Sequence, residues 1–170
     1  LDRVPPDALH RFDVESRLAA LELVGRLGLS ARLQLNTRTG SIEASPTSMD
    51  SLLETAQRWR IPPDRLVLEI LESEIVHDYA RFNAALDLCR GRGVKVAIDD
   101  FGAGHANLNL LADFQPHLIK LDRHLVQGVE ASGPRQAIIR GIIRTGFDLG
   151  IEIVAEGIET PEEYGWLRNE

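Results

Sequence analysis

The chain has 170 residues, of which 44% are apolar and 26% charged, and a formal net charge of −7; this is the make-up of an ordinary soluble domain able to bury a real core. The negative balance argues against a protein that wraps a nucleic-acid polymer, yet it leaves room for a small phosphorylated ligand held through metal ions. No apolar run approaches the roughly 20 residues of a membrane span, the N-terminus carries no signal-peptide pattern, and a single cysteine, Cys89, excludes an internal disulfide, so a reducing cytoplasmic setting is expected.

The elements follow in alternation. The stretch DVESRLAALELVGRLGL, beginning at Asp13, has helical periodicity and Gly28 near its stop. ARLQLN alternates as a strand. SMDSLLETAQRWR is helical and closed by Pro62 and Pro63. DRLVLEI is the second strand, and DYARFNAALDLCRGRG is a helix ended by Gly91 and Gly93, with Cys89 as a buried structural thiol. VKVAID is the third strand. After a turn or short helix in HANLNLLADF comes PHLIKLD, the fourth. GPRQAIIRGIIRTGFDLG is a helix opened by Pro134 and ended by Gly150, and IEIVAE is the fifth strand. A last helix opens with Thr160 as N-cap, Pro161 at its first position and Glu163 three residues after the cap.

Such alternation implies parallel strands with crossover helices, in an open doubly wound sheet or a (β/α)8 barrel. No glycine-rich phosphate loop follows the first strand, so the usual dinucleotide signature is missing. Polar residues gather instead at strand ends: Asn36 at the first, Glu69 near the end of the second, Asp99 and Asp100 at the third, Lys120 late in the fourth, Glu156 at the fifth. In a barrel those ends converge on one axis, where active sites lie. Five strands are visible where a barrel has eight, which leaves very roughly 60–90 residues unaccounted for. The chain also stops inside a helix that has just begun. Residues 1–170 are therefore expected to be one domain that is truncated, or lacks segments, at both ends.

Carboxylates converging with an amide oxygen make a hard-oxygen site, suited to Mg²⁺, Mn²⁺ or Ca²⁺. Adjacent Asp99 and Asp100 repel, and burying them needs a cation. Neighbouring strand side chains diverge, so the pair is expected to reach two different ions. Two cations about 3.5–4 Å apart would activate water and clamp a phosphoryl oxygen, with Lys120 as a point charge and Glu156 as ligand or general base. Each residue also has a plainer reading: strand-end capping for Asn36, a solvated rim for Glu69, turn capping for Asp99, a counter-ion to Asp122 or a neighbour for Lys120. A lysine among acids could alternatively form a Schiff base. His77, His105, His117 and His124 lack the close spacing of a zinc site. Gly102 and Gly104 mark either a mobile active-site loop or a tight turn.

The segments LVLEILESEIV, VAIDDFGAGHANLNLL, LIKLDRHLV and IVAEGIETPEE, in this order and spacing from about Arg32 to the end, strongly resemble the EAL-domain family, bacterial phosphodiesterases of cyclic di-GMP. The resemblance implies a modified (β/α)8 TIM-type barrel and metal-dependent hydrolysis of one phosphodiester, giving linear pGpG. It implies two Mg²⁺ or Mn²⁺ ions in the complete site, with Ca²⁺ inhibitory, and Asn36, Glu69, Asp99, Asp100 and Glu156 as ligands. Lys120 matches the catalytic lysine near the hydrolytic water, and Glu156 a ligand or base. Glu72 and Glu159 match the glutamates that steady the loop after the paired aspartates. That loop, with Phe101, Gly102, Ala103, Gly104 and His105, resembles the segment joining dimer contacts to metal binding, so a homodimer is expected. A sensory domain often accompanies the family.

The departures are specific. The defining Glu-Ala-Leu motif, whose Glu is a metal ligand, belongs upstream of Leu1, and the later Gln-Gly motif beyond Glu170. GAGHAN stands where G-T-G-Y-S-S is commoner, which makes Ala103 and His105 substitutions, and EILE stands for E-I-T-E. Every central polar residue in between is kept, which implies an active parent enzyme. The alternative is an inactive EAL-type effector that binds cyclic di-GMP, or a dimerisation module.

Overall fold

The computed structural model describes residues 5–44, 47–74, 76, 78–103, 111 and 114–170. The chain forms two compact units, Leu1–Ile70 with Glu74–Val96, and Leu71–Ser73 with Ala97–Glu170.

In the first unit, α1 (Pro6–Leu27) leads to β1 (Leu33–Asn36), α2 (Thr39–Ala44), α3 (Thr47–Arg58), a 3-10 turn at Pro63–Arg65, β2 (Leu66–Leu71) and α4 (Tyr79–Gly91). The first helix starts at Pro6, well before the expected Asp13. Proline fits the first helical position, where no N–H is needed, and Asp13 lies inside the helix, with its Oδ2 2.6 Å from Arg17 Nη1 in a buried i,i+4 pair. β1 and β2 pair in parallel, Leu33 opposite Leu66 and Asn36 opposite Glu69. Residues Leu66 to Ile70 of β2 are buried without alternation, the mark of a strand covered on both faces. Around it the core includes Leu21, Ile42, Met49, Leu52, Phe82 and Leu86, all fully buried. The short α2 has no counterpart in the sequence reading. At six residues it is too brief for apolar periodicity to show.

The second unit holds the end of β3 (Lys95–Phe101), β4 (Leu118–Leu121), α5 (Arg123–Val126), a 3-10 turn at Val129–Ala131, α6 (Gly133–Leu149), β5 (Glu152–Ala155) and α7 (Pro161–Arg168). β3 pairs with β4, and β4 with β5, again in parallel. All four residues of β4 are buried, Lys120 among them at 5% exposure. The expected capping box opens α7: Thr160 Oγ1 accepts from the Glu163 N–H, and Glu163 Oε2 accepts from the Thr160 N–H. Glu163 Oε1 also accepts from the Gly128 N–H at 2.8 Å, so one buried carboxylate ties α7 to the turn before α6.

β3 continues two residues beyond the expected Asp99, through Asp100 to Phe101. The register explains the difference. Ile98 faces Ile119 while Phe101 faces Leu121, so β3 fits one more residue than β4 into the same span. This is a β-bulge, and it contains both aspartates.

Candidate metal and active site

The bulge decides where the two carboxylates point. Asp100 has φ of 55°, a left-handed conformation that aspartate tolerates better than most residues. Regular strand geometry would send the Asp99 and Asp100 side chains to opposite faces. In the bulge, one carboxylate oxygen each from Asp99, Asp100 and Glu156 lie within 4.8 Å of one another. The left-handed turn swings Asp100 back toward its neighbour, and the Asp100 N–H donates to Asp99 Oδ1 at 3.1 Å.

Lys120 stands between the outer members of this cluster. Its Nζ is 2.9 Å from Asp99 Oδ1 and 2.8 Å from Glu156 Oε1. Both carboxylates are its ion-pair partners, which fits the plainer reading of Lys120 as counter-ion to neighbouring acids. An ammonium clasped by two carboxylates suits a positive point charge and works against the free amine that Schiff-base chemistry needs. β4 and β5 place it: Lys120 pairs with Val154, and the Glu156 N–H donates to Leu121 O at 3.2 Å, directly after the last β5 residue.

Three carboxylates against one ammonium leave surplus negative charge. Burial raises the Asp100 pKa above the ordinary carboxylate value, and the charges of Asp99, Asp122 and Glu156 push the same way, with Lys120 opposing. A hard divalent cation relieves this, and a set of carboxylate oxygens suits Mg²⁺ or Mn²⁺. The donor set thus fits the metal that the sequence resemblance implies.

Asp122 is the residue the sequence reading undervalued. It is 7% exposed, and its Oδ1 accepts from the His124 N–H at 2.8 Å and meets His124 Nδ1 at 2.6 Å. Burial opposes its ionised form, but the hydrogen bonds from His124 and Arg123 outweigh it and lower the pKa. The available signal was the Asp at the end of a strand, two residues before a His in a short helix, a local capping pattern.

Glu72 reaches the start of the post-aspartate loop. Its N–H donates to Asp99 O at 3.0 Å, and its Oε2 accepts from the Gly102 N–H at 2.9 Å. Phe101 is buried at 2%, and Ala103 is exposed. Gly104 and His105 lie outside the described residues, as does His77. Glu159 is exposed, with its N–H donating to Glu163 Oε2 at 2.8 Å. Asn36 and Glu69 are register partners in the first unit, and the Thr37 N–H donates to Glu69 O at 2.8 Å.

The family model described as EAL domain matches residues 8–170. The chain belongs to the EAL-domain family. It is 35% identical over 162 residues to the blue light- and temperature-regulated antirepressor BluF of Escherichia coli, an alignment that takes in 95% of this chain and 40% of BluF. It is 30% identical over 146 residues to the cyclic di-GMP phosphodiesterase RocR of Pseudomonas aeruginosa, covering 86% of this chain and 37% of RocR. Among solved structures, Klebsiella pneumoniae BlrP1 in its manganese and cyclic di-GMP complex superposes with a TM-score of 0.89 at 39% identity, over 97% of this chain and 42% of that one. The same protein has been solved with calcium and cyclic di-GMP, again with a TM-score of 0.89 at 39% identity. The chain thus spans well under two thirds of the length of these proteins. It has the α/β, TIM-barrel-type fold of EAL domains, and its described residues contain five strands of such a barrel.

Proposed function

We propose that this EAL domain hydrolyses cyclic di-GMP to linear pGpG with the help of Mg²⁺ or Mn²⁺. The observation that carries the reading is the clasp of Lys120 between Asp99 and Glu156, inside a cluster that also holds Asp100. The metal-bound, cyclic di-GMP-bound BlrP1 and the phosphodiesterase RocR support it.

In the net reaction, water adds to phosphorus, the P–O3′ bond breaks, and O3′ leaves with a proton. Asp99, Asp100 and Glu156 would hold a divalent cation, which would supply Lewis-acid charge to the phosphodiester. Asn36 and Glu69 are further ligands on the strength of the resemblance. The Lys120 ammonium adds a fixed positive charge where negative charge grows in the transition state. Glu156, 39% exposed on its side chain, accepts a proton from water in this reading. Glu72 holds the Gly102 N–H and so fixes the backbone that follows the aspartates. The reading includes a cytoplasmic location, a homodimer formed through the loop after the aspartates, and inhibition by Ca²⁺, which competes for the same oxygens with looser geometry. Among the described residues, no helix is long and apolar enough to cross a membrane.

The deciding experiment incubates the full-length protein with cyclic di-GMP and Mg²⁺ or Mn²⁺ and follows pGpG by chromatography. Turnover that Asp99→Asn abolishes is expected. Retained cyclic di-GMP binding without any pGpG would overturn the enzyme reading in favour of a non-hydrolysing effector.

A further inference from the structure

The segment that joins Lys120 to α5 is fastened on two sides, wholly within the second unit. Toward β3, the Asp122 N–H donates to Phe101 O at 3.0 Å. Leu125 also lies so close to Gly102 that a Cβ there would fall 2.3 Å from Leu125 Cδ1. Toward β5, Leu121 O accepts from the Glu156 N–H. A Cβ at Gly157 would fall 2.5 Å from Arg123 Cβ and 3.3 Å from Arg123 Cα. Both glycines have positive φ, 93° at Gly102 and 67° at Gly157. The contacts come immediately after the carboxylates: Asp99 and Asp100 precede Gly102, and Glu156 precedes Gly157.

β3 and β5 flank β4 on opposite sides. At about 4.8 Å per strand spacing, their backbones stand nearly 10 Å apart. Their carboxylates nevertheless converge to within 4.8 Å above Lys120. The Lys120 ammonium holds one oxygen of Asp99 at 2.9 Å and one of Glu156 at 2.8 Å, while the spacing of the backbones that carry these carboxylates depends on what packs between them. Among the described residues, the turn after β4 lies between the two strand ends and touches both through glycine, where no side chain cushions the contact.

We propose that Leu121 to Leu125 is a rigid spacer that sets the distance between the β3 carboxylates and Glu156, with Leu125 and Arg123 as positioning residues at its two contact points. The inference rests on the metal reading above, and adds that cation affinity depends on residues that touch no cation. Gly157 is there because Arg123 Cβ occupies the space a side chain would need. An added methyl pushes the Glu156 backbone away from β4 and opens the cluster.

The test measures Mn²⁺ affinity of the full-length protein by electron paramagnetic resonance, with circular dichroism to confirm folding. Gly157→Ala is expected to weaken Mn²⁺ binding at least tenfold. Deleting the facing Cβ, in Arg123→Gly/Gly157→Ala, is expected to return affinity to within about threefold of Arg123→Gly alone. A loss that came only from alanine strained at positive φ would not be relieved, and that result overturns the spacer. So does a folded Gly157→Ala protein with unchanged affinity. If Gly157→Ala does not fold, Leu125→Ala takes its place: weakened binding restored by Leu125→Met supports the spacer, and unchanged binding overturns it. Failure of the unaltered protein to bind Mn²⁺ would instead overturn the metal reading, and this inference with it.

Discussion

Lys120 Nζ meets Asp99 Oδ1 at 2.9 Å, with only 7% and 14% of the two side chains exposed. The pair is a charge balance as much as a bond, since the same ammonium also faces Glu156. Lys120→Met removes the ammonium that meets both Asp99 and Glu156. Turnover is expected to fall about 10²–10³-fold, as for loss of a preorganised charge at a developing anion. In EDTA the variant is expected to lose about 1–3 kcal/mol of stability, less than for a fully buried pair because Glu156 is partly solvated. Urea midpoints with and without Mn²⁺ check this, and the deficit should shrink when Mn²⁺ is present.

Glu72 acts on the site through the backbone, by accepting from the Gly102 N–H. Glu72→Ala removes that acceptor without removing a member of the Asp99–Asp100–Glu156 cluster. A roughly tenfold drop in kcat is expected with Mn²⁺ affinity changed less than threefold, in line with loss of one charge-assisted hydrogen bond. Steady-state kinetics alongside Mn²⁺ titration separates the two quantities.

Glu163 has its pKa held below the usual carboxylate value, by the Gly128 N–H first and then by the Glu159 and Thr160 N–H groups. A depressed carboxylate contributes stability above its unfolded pKa, about 4.3, and loses it as pH falls through the lower folded value. Glu163→Gln should therefore be less stable than the unaltered protein at pH 7. The gap should close progressively below about pH 4. Urea unfolding across pH 7 to 3 reads this out, and a gap that stays constant with pH would contradict it.

Cys89 is fully buried, and burial pushes its thiol pKa up to about 11. Almost no thiolate exists at neutral pH. Alkylation by iodoacetamide is expected to run at least about 100-fold slower in the native protein than in urea. Mass spectrometry over a time course measures both rates.

Much of this molecule is legible from residue order alone. Helix stops at Gly28 and Gly150, the Thr160–Glu163 box and the strand cores LVLEI and LIKL all follow from local rules, because caps and apolar runs act within a few residues. α1 begins at Pro6 rather than Asp13; its first turns carry no apolar periodicity that marks a start, and Asp13 and Arg17 lie inside it. Only packing shows them buried as a pair.

The groups that meet around Lys120 were also legible. Asp99, Asp100, Lys120 and Glu156 all stand at or near strand ends in the sequence, and the structure brings these four together. The geometry of the Asp99–Asp100 pair was not. A period-two strand predicts diverging side chains, and only the pairing of β3 with β4 creates the bulge and the left-handed Asp100 that turn both carboxylates the same way. Likewise, nothing local says which carboxylates Lys120 meets. That choice depends on which strands lie beside β4, a contact between residues distant in the chain. Residue types and their order set which groups the site contains; strand pairing sets the distances among them, because separations of a few ångströms between remote residues exist only once the sheet has formed.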